Sequence, residues 1–338
     1  MIKLQRPEWL YCRGAVRPWE EGVLHVSSEA VTRGANVFEG LKGYWYEDGS
    51  SVGIVAMRRH YDRLKRSARL LYIPFTLDFA EFENACHELM RKLLSPDRDM
   101  WVRATLFAVE GYWGEATKAD LVLTAYHLDK APPAPIDIAI STWQRTSDLT
   151  VSPRIKTGAN YHIGRLARIE GRRKGCSEMI LLNQWGRVAE ATGACVLMVR
   201  DGQVVTPPPT EGNLESITVQ IVGQICRALG IPFIERPIDR TELWIADEMA
   251  LAGTLAEIVK IRRIDDLELP AESPILDAVS DRFWAAVRGI TPHEAIDLSI
   301  ITNVTVRKPL RFSSQRKPLS LEVGALVGTE NNSSKAAG

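Results

Sequence analysis

Four short stretches of this 338-residue chain carry residue types whose spacing permits chemistry. In PRIKTGANY (153–161), Lys156 follows a strand-like stretch and precedes a helix, with Gly158 two residues on and Tyr161 five on. A desolvated lysine is a nucleophile that can form a Schiff base; a solvated one is an ordinary surface cation. In RVAEATGACV, Glu190 interrupts an apolar strand beside Val188, Ala189 and Ala191. A carboxylate there needs a partner if buried, or a place at the strand edge if not. In NLESITVQIV (213–222), Ser216 and Thr218 stand at a helix entry. Hydroxyls cap unpaired N–H groups at such entries, and phosphates bind there too. LAGTLAEIV (251–259) adds a second Gly-Thr turn between apolar runs.

Singly, each stretch has a plain structural explanation. Together they supply an amine for a Schiff base, a carboxylate for a ring nitrogen and helix-entry donors for a phosphate. That is the set pyridoxal phosphate requires. Other chemistries lack their signatures. The six histidines (His25, His60, His87, His127, His162 and His293) show no HExxH or similar ligand spacing, so no metal is expected. GxSxG, GxxxxGK[ST] and GxGxxG do not occur. Cys12, Cys86, Cys176, Cys195 and Cys226 are odd in number, widely spaced and free of CxxC, which argues for free thiols. Lys+Arg and Asp+Glu are both 42, so the net charge is zero, and neither a nucleic-acid nor a membrane-surface partner is expected. The N-terminus has no apolar signal region, and no apolar run approaches membrane length. A cytoplasmic protein is the expectation.

The elements that must position these residues are legible as patterns. VGIVAM (52–57) reads as a buried strand, and 60–71 as a helix with Leu64, Ala68 and Leu71 on one face. A second amphipathic helix follows at 82–94, then strands at 100–109 and 120–128. DKAPPAPID (129–137) holds three prolines and cannot continue a ladder. Beyond it come a strand at 136–142, a helix at 160–175, a run of short strands with an Asp201-Gly202 turn, and helices at 215–230 and 274–289. From about Asn303 the chain turns basic and ends NNSSKAAG, as in a poorly ordered or peripheral tail.

Across roughly residues 20–290 the chain resembles the fold-type IV pyridoxal-phosphate enzymes, specifically the branched-chain-aminotransferase-like class. VTRGANVFEGLKGY, HYDRLKRSA, IKTGANY, EATGACV, NLESIT and AGTLAEI occur in the family's order. The resemblance implies Lys156 as the Schiff-base lysine, Glu190 as partner of the pyridine nitrogen and Tyr161 as partner of the ring's phenolic oxygen. It implies Arg63, Leu214, Ser216, Ile217, Thr218, Gly253 and Thr254 as cofactor-binding residues, Ile217 and Thr218 at the phosphate. Phe38, Arg33, Lys42, Trp101, Arg103, Thr254, Leu255 and Ala256 are the expected substrate-binding set. The implied fold is α+β, a small α/β domain (1–130) joined by a linker (131–137) to a larger pseudo-barrel domain (138–302), with 303–338 peripheral. The implied activity is ping-pong transfer of an amino group from a hydrophobic or branched-chain-like L-amino acid to a 2-oxo acid. A homodimer or higher homo-oligomer is implied, with a partner loop completing the site. A D-amino-acid or (R)-amine aminotransferase, and a lyase of the aminodeoxychorismate type, are the alternatives.

The substrate positions depart from the family pattern. Arg33 stands where these relatives commonly carry Tyr, Lys42 where a bacterial relative carries Arg, and Trp101 where it carries Tyr. Cys195 replaces a common Asn. Arg33 either offers an anion site or pairs with an acid at the surface. These changes suggest a substrate larger than leucine, isoleucine or valine, one bearing a second acid, or a specialised amine. Tyr44, Trp45, Tyr46, Tyr112 and Trp113 are either an aromatic supply for the site, with GYWGE (111–115) as a covering loop, or ordinary packing.

Overall fold

Alternation along β-strands sorts the side chains of the first half of the protein into two faces. The computed structural model describes residues 4–302, all within one compact unit. The tail expected at 303–338 lies outside the described residues. The chain begins with a hairpin of β1 (Trp9–Cys12) and β2 (Ala15–Pro18), then the short helix α1 (Glu29–Thr32). Strands β3 (Asn36–Trp45) and β4 (Val52–Val55) follow, then helices α2 (Met57–Leu70) and α3 (Phe79–Leu93). A long hairpin of β5 (Arg98–Tyr112) and β6 (Glu115–Asp129) completes this half.

In β3 and β5 the register places Phe38 opposite Thr105, Gly40 opposite Arg103 and Lys42 opposite Trp101. These residues share one face of the sheet. On the other face Val37, Leu41, Val102, Ala104 and Leu106 pack against Leu64, Phe82 and Leu89 of α2 and α3. Helix α2 buries an apolar stripe of Met57, Tyr61, Leu64 and Ala68 at helical spacing. It also buries a polar stripe, His60, Arg63 and Ser67, that serves the site. Helix α3 starts cleanly, because Asp78 and Glu81 form a reciprocal capping box.

The chain passes to a second sheet between Asp129 and β7 (Ile136–Gln144). Helix α4 (Asn160–Arg173) leads to β8 (Glu178–Leu182), β9 (Val188–Ala191), β10 (Cys195–Arg200) and β11 (Gln203–Thr206). Helix α5 (Ile217–Ala228) leads to β12 (Phe233–Glu235), β13 (Glu248–Gly253), β14 (Glu257–Ile264) and β15 (Leu267–Glu268). Helix α6 (Pro274–Val287) and β16 (Leu298–Ile301) end the described chain. The strand order is β12-β11-β10-β13-β14-β7-β8-β9, with β15 beside β14. The pairs β7–β8 and β11–β12 are parallel, so α4 and α5 are their crossover helices. Strands β9 and β10 lie five places apart in this order, yet residues 192–194 alone join them, and the Ala191 N–H donates to the Ala194 carbonyl at 2.8 Å. The sheet must therefore curl into a half-barrel, filled by Ile138, Ile180, Val196, Met198, Met249 and Leu251.

Strand β16 departs from sequential order. It pairs antiparallel with β4 at the edge of the first sheet opposite the β1–β2 hairpin, so the chain returns to its first sheet. Nearby, Arg288 follows α6 and forms a fully buried bidentate pair with Asp99, at 2.6 Å for each nitrogen–oxygen contact. Asp99 also accepts from the Trp45 N–H, which ties α6, β3 and β5 together. Removing one partner of such a pair strands the other charge. Asp99→Ala should destabilise the fold by about 3–5 kcal/mol, read as a lower urea midpoint. An unchanged midpoint would show that the pair is dispensable.

Candidate active site

The two sheets meet at the loop that carries Lys156. The Phe38 N–H donates to the Lys156 carbonyl at 2.8 Å, and Val37 bridges Thr157. From the other side, the Lys156 N–H donates to Ser67 Oγ at 3.2 Å. Gly158 approaches Asn36 so closely that a Cβ there would lie 3.0 Å from Asn36 Oδ1, which explains the glycine. The Asn160 amide donates to the carbonyls of Ser152 and Ile155, 2.9 Å each, and closes the loop from behind. Tyr161, in the first turn of α4, comes back to Lys156, with Nζ 2.8 Å from the phenol oxygen. Phe38 packs edge-on to Tyr161 at 4.9 Å between ring centroids, and Lys156 Nζ sits 5.1 Å from both rings.

Across the cleft, Glu190 is buried on β9, the last strand of the second sheet, and is an ion-pair partner rather than an exposed edge residue. Its Oε1 lies 2.7 Å from Arg145 Nε, and its Oε2 accepts from the Leu214 N–H at 3.1 Å. Arg145 follows β7, 45 residues before Glu190, and no spacing in the sequence marks it. Beside Glu190, burial pushes the Cys195 thiol up to about 12, with the Glu190 charge adding to the shift. Cys195 is thus a neutral thiol at ordinary pH and not a nucleophile.

Beneath the cleft lies a second cluster. Arg63 donates to Glu39 through Nε at 2.7 Å and Nη2 at 2.9 Å, and its Nη1 reaches the Glu215 carbonyl at 2.7 Å. His60 Nδ1 is 2.7 Å from the same carboxylate. Burial opposes the Glu39 charge, yet the Arg63 and His60 partners hold its carboxyl far below the usual range. Burial pushes His60 down, so it donates as a neutral imidazole. The Glu39–His60 contact is another that sequence spacing did not reveal.

At the entry to α5, Ser216 Oγ accepts from the Val219 N–H at 3.2 Å. The N–H groups of Ile217 and Thr218 have no acceptor among the described residues. These free donors beside the Arg63 guanidinium form a ready anion seat. On the opposite side, a Cβ on Gly253 would come within 3.3 Å of Ala194, so the turn that starts here hugs the cleft wall. An amine, a carboxylate and a phosphate seat thus face one cavity of about 390 Å³. The donor set fits pyridoxal phosphate. Leu214, Ser216, Ile217, Gly253 and Thr254 line that cavity with Arg63, Lys156, Tyr161 and Glu190, while Thr218 is buried just inside α5.

The substrate-binding expectations divide. Phe38, Trp101, Arg103, Thr254 and Leu255 line the cleft. Lys42, Arg33 and Ala256 do not. Lys42 Nζ is 2.6 Å from Glu257 Oε1, and both side chains are buried, so the amine braces the 254–256 turn from below. Glu257 sits at φ +55°, in the left-handed region, and Lys42 anchors that strained residue. Arg33 stacks on Trp113 at 4.3 Å and Tyr112 at 5.4 Å and lies 3.8 Å from Glu29. Of the two readings of Arg33, pairing at the surface is the observed one. Ala256 packs on the half-barrel interior. Tyr44 and Trp45 are core residues, whereas Tyr112 and Trp113 are exposed at the hairpin tip. Three arginines of α4 that sequence reasoning passed over, Arg165, Arg168 and Arg172, also line the cleft.

Comparisons with known proteins agree with this geometry. The model of the amino-transferase class IV family matches residues 36–264. A probable branched-chain-amino-acid aminotransferase of Synechocystis is 32% identical over 280 residues, 81% of this chain and 91% of the relative. The branched-chain aminotransferase of Thermoproteus uzoniensis, solved with norvaline, superposes with a TM-score of 0.79 at 29% identity, covering 84% of this chain and 96% of that one. The branched-chain amino acid aminotransferase of Thermobaculum terrenum in its PLP form gives a TM-score of 0.79 at 31% identity, covering 87% and 98%. The α+β fold-type IV architecture expected from the sequence is the observed one. The chain belongs to the class IV aminotransferases and is a pyridoxal-phosphate-dependent transaminase.

Proposed function

We propose that this enzyme moves the amino group of a hydrophobic L-amino acid to a 2-oxo acid, with Lys156 as the proton carrier. The observation that carries the reading is the setting of the Lys156 amine. It sits beside the packed rings of Phe38 and Tyr161, 5.1 Å from each centroid, with Arg103 in the same cleft. When bound, pyridoxal phosphate supplies an aldehyde for the amine and a ring that draws electrons from the attached carbon. Arg63 and the Ile217 and Thr218 N–H groups would hold its phosphate. The Glu190 carboxylate, kept in place by Arg145, would accept the ring N–H. Tyr161 orients the Lys156 amine, which then carries a proton to and from the substrate α-carbon. Arg103 lies 4.1 Å from the Phe38 ring centroid, without a carboxylate partner among the described residues. Burial pushes its pKa below the ordinary value, because it removes hydration from the guanidinium. We assign it to a substrate carboxylate, and Phe38, Trp101 and Leu255 to the apolar walls.

The proposed assembly is a homodimer in the cytoplasm. Tyr112 and Trp113 form an exposed apolar tip suited to burial against a second copy. All five cysteines are free, and no helix among the described residues is long and apolar enough to cross a membrane.

Stopped assays with single donors test the activity. L-Leucine, L-valine and L-isoleucine should support transfer to 2-oxoglutarate, and the D-enantiomers should not. Lys156→Ala should lower kcat by roughly a thousandfold or more and abolish the visible Schiff-base absorption. Pyruvate released from aminodeoxychorismate without an acceptor would instead identify a lyase. Glu39→Gln tests the Arg63 anchor. The substitution should loosen the cofactor and cost about 3–5 kcal/mol of stability at neutral pH. The folded-state pKa of Glu39 is depressed, so its stabilisation is complete above the ordinary glutamate value of about 4.3 and is lost as pH falls below it. Urea midpoints measured on acidification should thus fall more steeply for the wild type than for Glu39→Gln.

A further inference from the structure

Helix α4 carries Tyr161 in its first turn, and Gly164 and Arg168 follow on the same face, three and seven residues on. All three line the cleft that holds Lys156. Gly164 lies directly on Thr192, two residues beyond Glu190. A Cβ on Gly164 would stand 3.0 Å from the Thr192 carbonyl oxygen and 3.2 Å from the Thr192 Cβ, so helix and turn are in direct contact. One turn further along α4, Arg168 closes a ring of hydrogen bonds. Its Nε donates to Thr192 Oγ1 and its Nη2 to Glu178 Oε2, each at 2.5 Å. The Thr192 hydroxyl in turn donates to Glu178 Oε1 at 2.5 Å, and the Met179 N–H reaches the same oxygen at 2.9 Å. Thr192 and Glu178 are buried, whereas the Arg168 side chain is half exposed. An isolated ion pair of that exposure contributes little to stability. Here the hydroxyl is engaged as donor and acceptor and both carboxylate oxygens are occupied, so each member of the ring fixes the other two.

The ring joins two arms of the site that are otherwise separate. Among the described residues, the Arg168–Thr192 bond is the only side-chain hydrogen bond between α4 and the segment 188–200. Tyr161 belongs to the first arm and Glu190 to the second. We propose that Arg168, acting with Glu178 through Thr192, is a positioning residue of the transamination: it fixes α4 on the β9–β10 turn and so sets the spacing between Tyr161 and Glu190, the two side chains assigned to the cofactor ring. The inference rests on those two assignments. It also gives a role to the one α4 arginine of the cleft that meets an acid, where Arg165 and Arg172 meet none among the described residues.

The test uses the holoenzyme. Its visible Schiff-base absorption is titrated with pH, because the midpoint reports the contacts at the ring, and turnover is measured with L-leucine and 2-oxoglutarate. Thr192→Val removes the hydroxyl without changing charge. It should move the midpoint by roughly half a pH unit or more. It should lower kcat about tenfold while KM for leucine stays within about twofold. Thr192→Ser keeps the hydroxyl and should restore both readings. Arg168→Met should match Thr192→Val, and the double variant should be no worse than either, since each breaks the same ring. Tyr161→Phe and Glu190→Gln are the reference, and each should move the midpoint. If neither does, the roles of Tyr161 and Glu190 are wrong and the positioning role falls with them. If they do, but Thr192→Val keeps the wild-type midpoint and kcat, the positioning role alone is overturned. An equal shift in Arg173→Gln, on α4 but off the cleft, overturns it too, because loss of any α4 charge would then suffice. The Val and Ser pair at position 192 decides the matter even if Arg168→Met fails to fold.

Discussion

The Glu39 carboxylate is fully buried on the helix-covered face of β3, and the rest of the site depends on how that charge is satisfied. Alone it would be too costly to bury. Arg63 answers it with two hydrogen bonds and His60 with a third. This leaves Arg63 Nη1 free to reach the Glu215 carbonyl at the entry to α5. One carboxylate thereby fixes α2 on β3 and places the N-terminus of α5 against the first sheet. The next residue back, Phe38, points the other way, into the cleft, and its N–H holds the Lys156 carbonyl. Two consecutive residues of one strand thus position the phosphate seat and the reactive lysine, because alternation sends their side chains to opposite faces.

Helix α2 shows the same economy. His60, Arg63 and Ser67 occupy one polar stripe at helical spacing, and each touches a different part of the site: Glu39, the α5 entry and the Lys156 N–H. The buried pairs elsewhere serve geometry more than stability. Lys42 with Glu257 braces a strained turn, and Arg288 with Asp99 joins elements distant in sequence. Apolar residues of equal volume would often stabilise as much. They would not specify which atoms meet.

What the sequence made legible follows from how far apart the partners are along the chain. Lys156 with Tyr161, and Ser216 with the first turn of α5, are local patterns set by helical spacing. Glu190 stood out because a charge in an apolar strand demands an explanation. Its partner Arg145 stayed hidden, since the chain between them includes a crossover helix and strand β8. Lys42 and Arg33 were read as substrate residues from resemblance, and only packing reveals that one is spent on Glu257 and the other on Trp113 and Glu29. Strand β16 could not be foreseen from its short apolar pattern, because its pairing with β4 spans most of the chain.

The pattern of pairing itself separates structure from function. Cations on the buried faces have carboxylates: Arg63, Lys42, Arg145 and Arg288 each meet an acid within 2.7 Å. Cations that line the cleft and face away from the sheets, Arg103, Arg165 and Arg172, do not meet one among the described residues. Folding tolerates an unpaired guanidinium only where water or a ligand reaches it. Three arginines without an acid at one cavity give it a positive field that favours anionic groups entering it. The rings of Phe38 and Tyr161 flank the Lys156 amine, and the α4 arginines line the same cleft, so apolar packing and positive charge meet within one cavity.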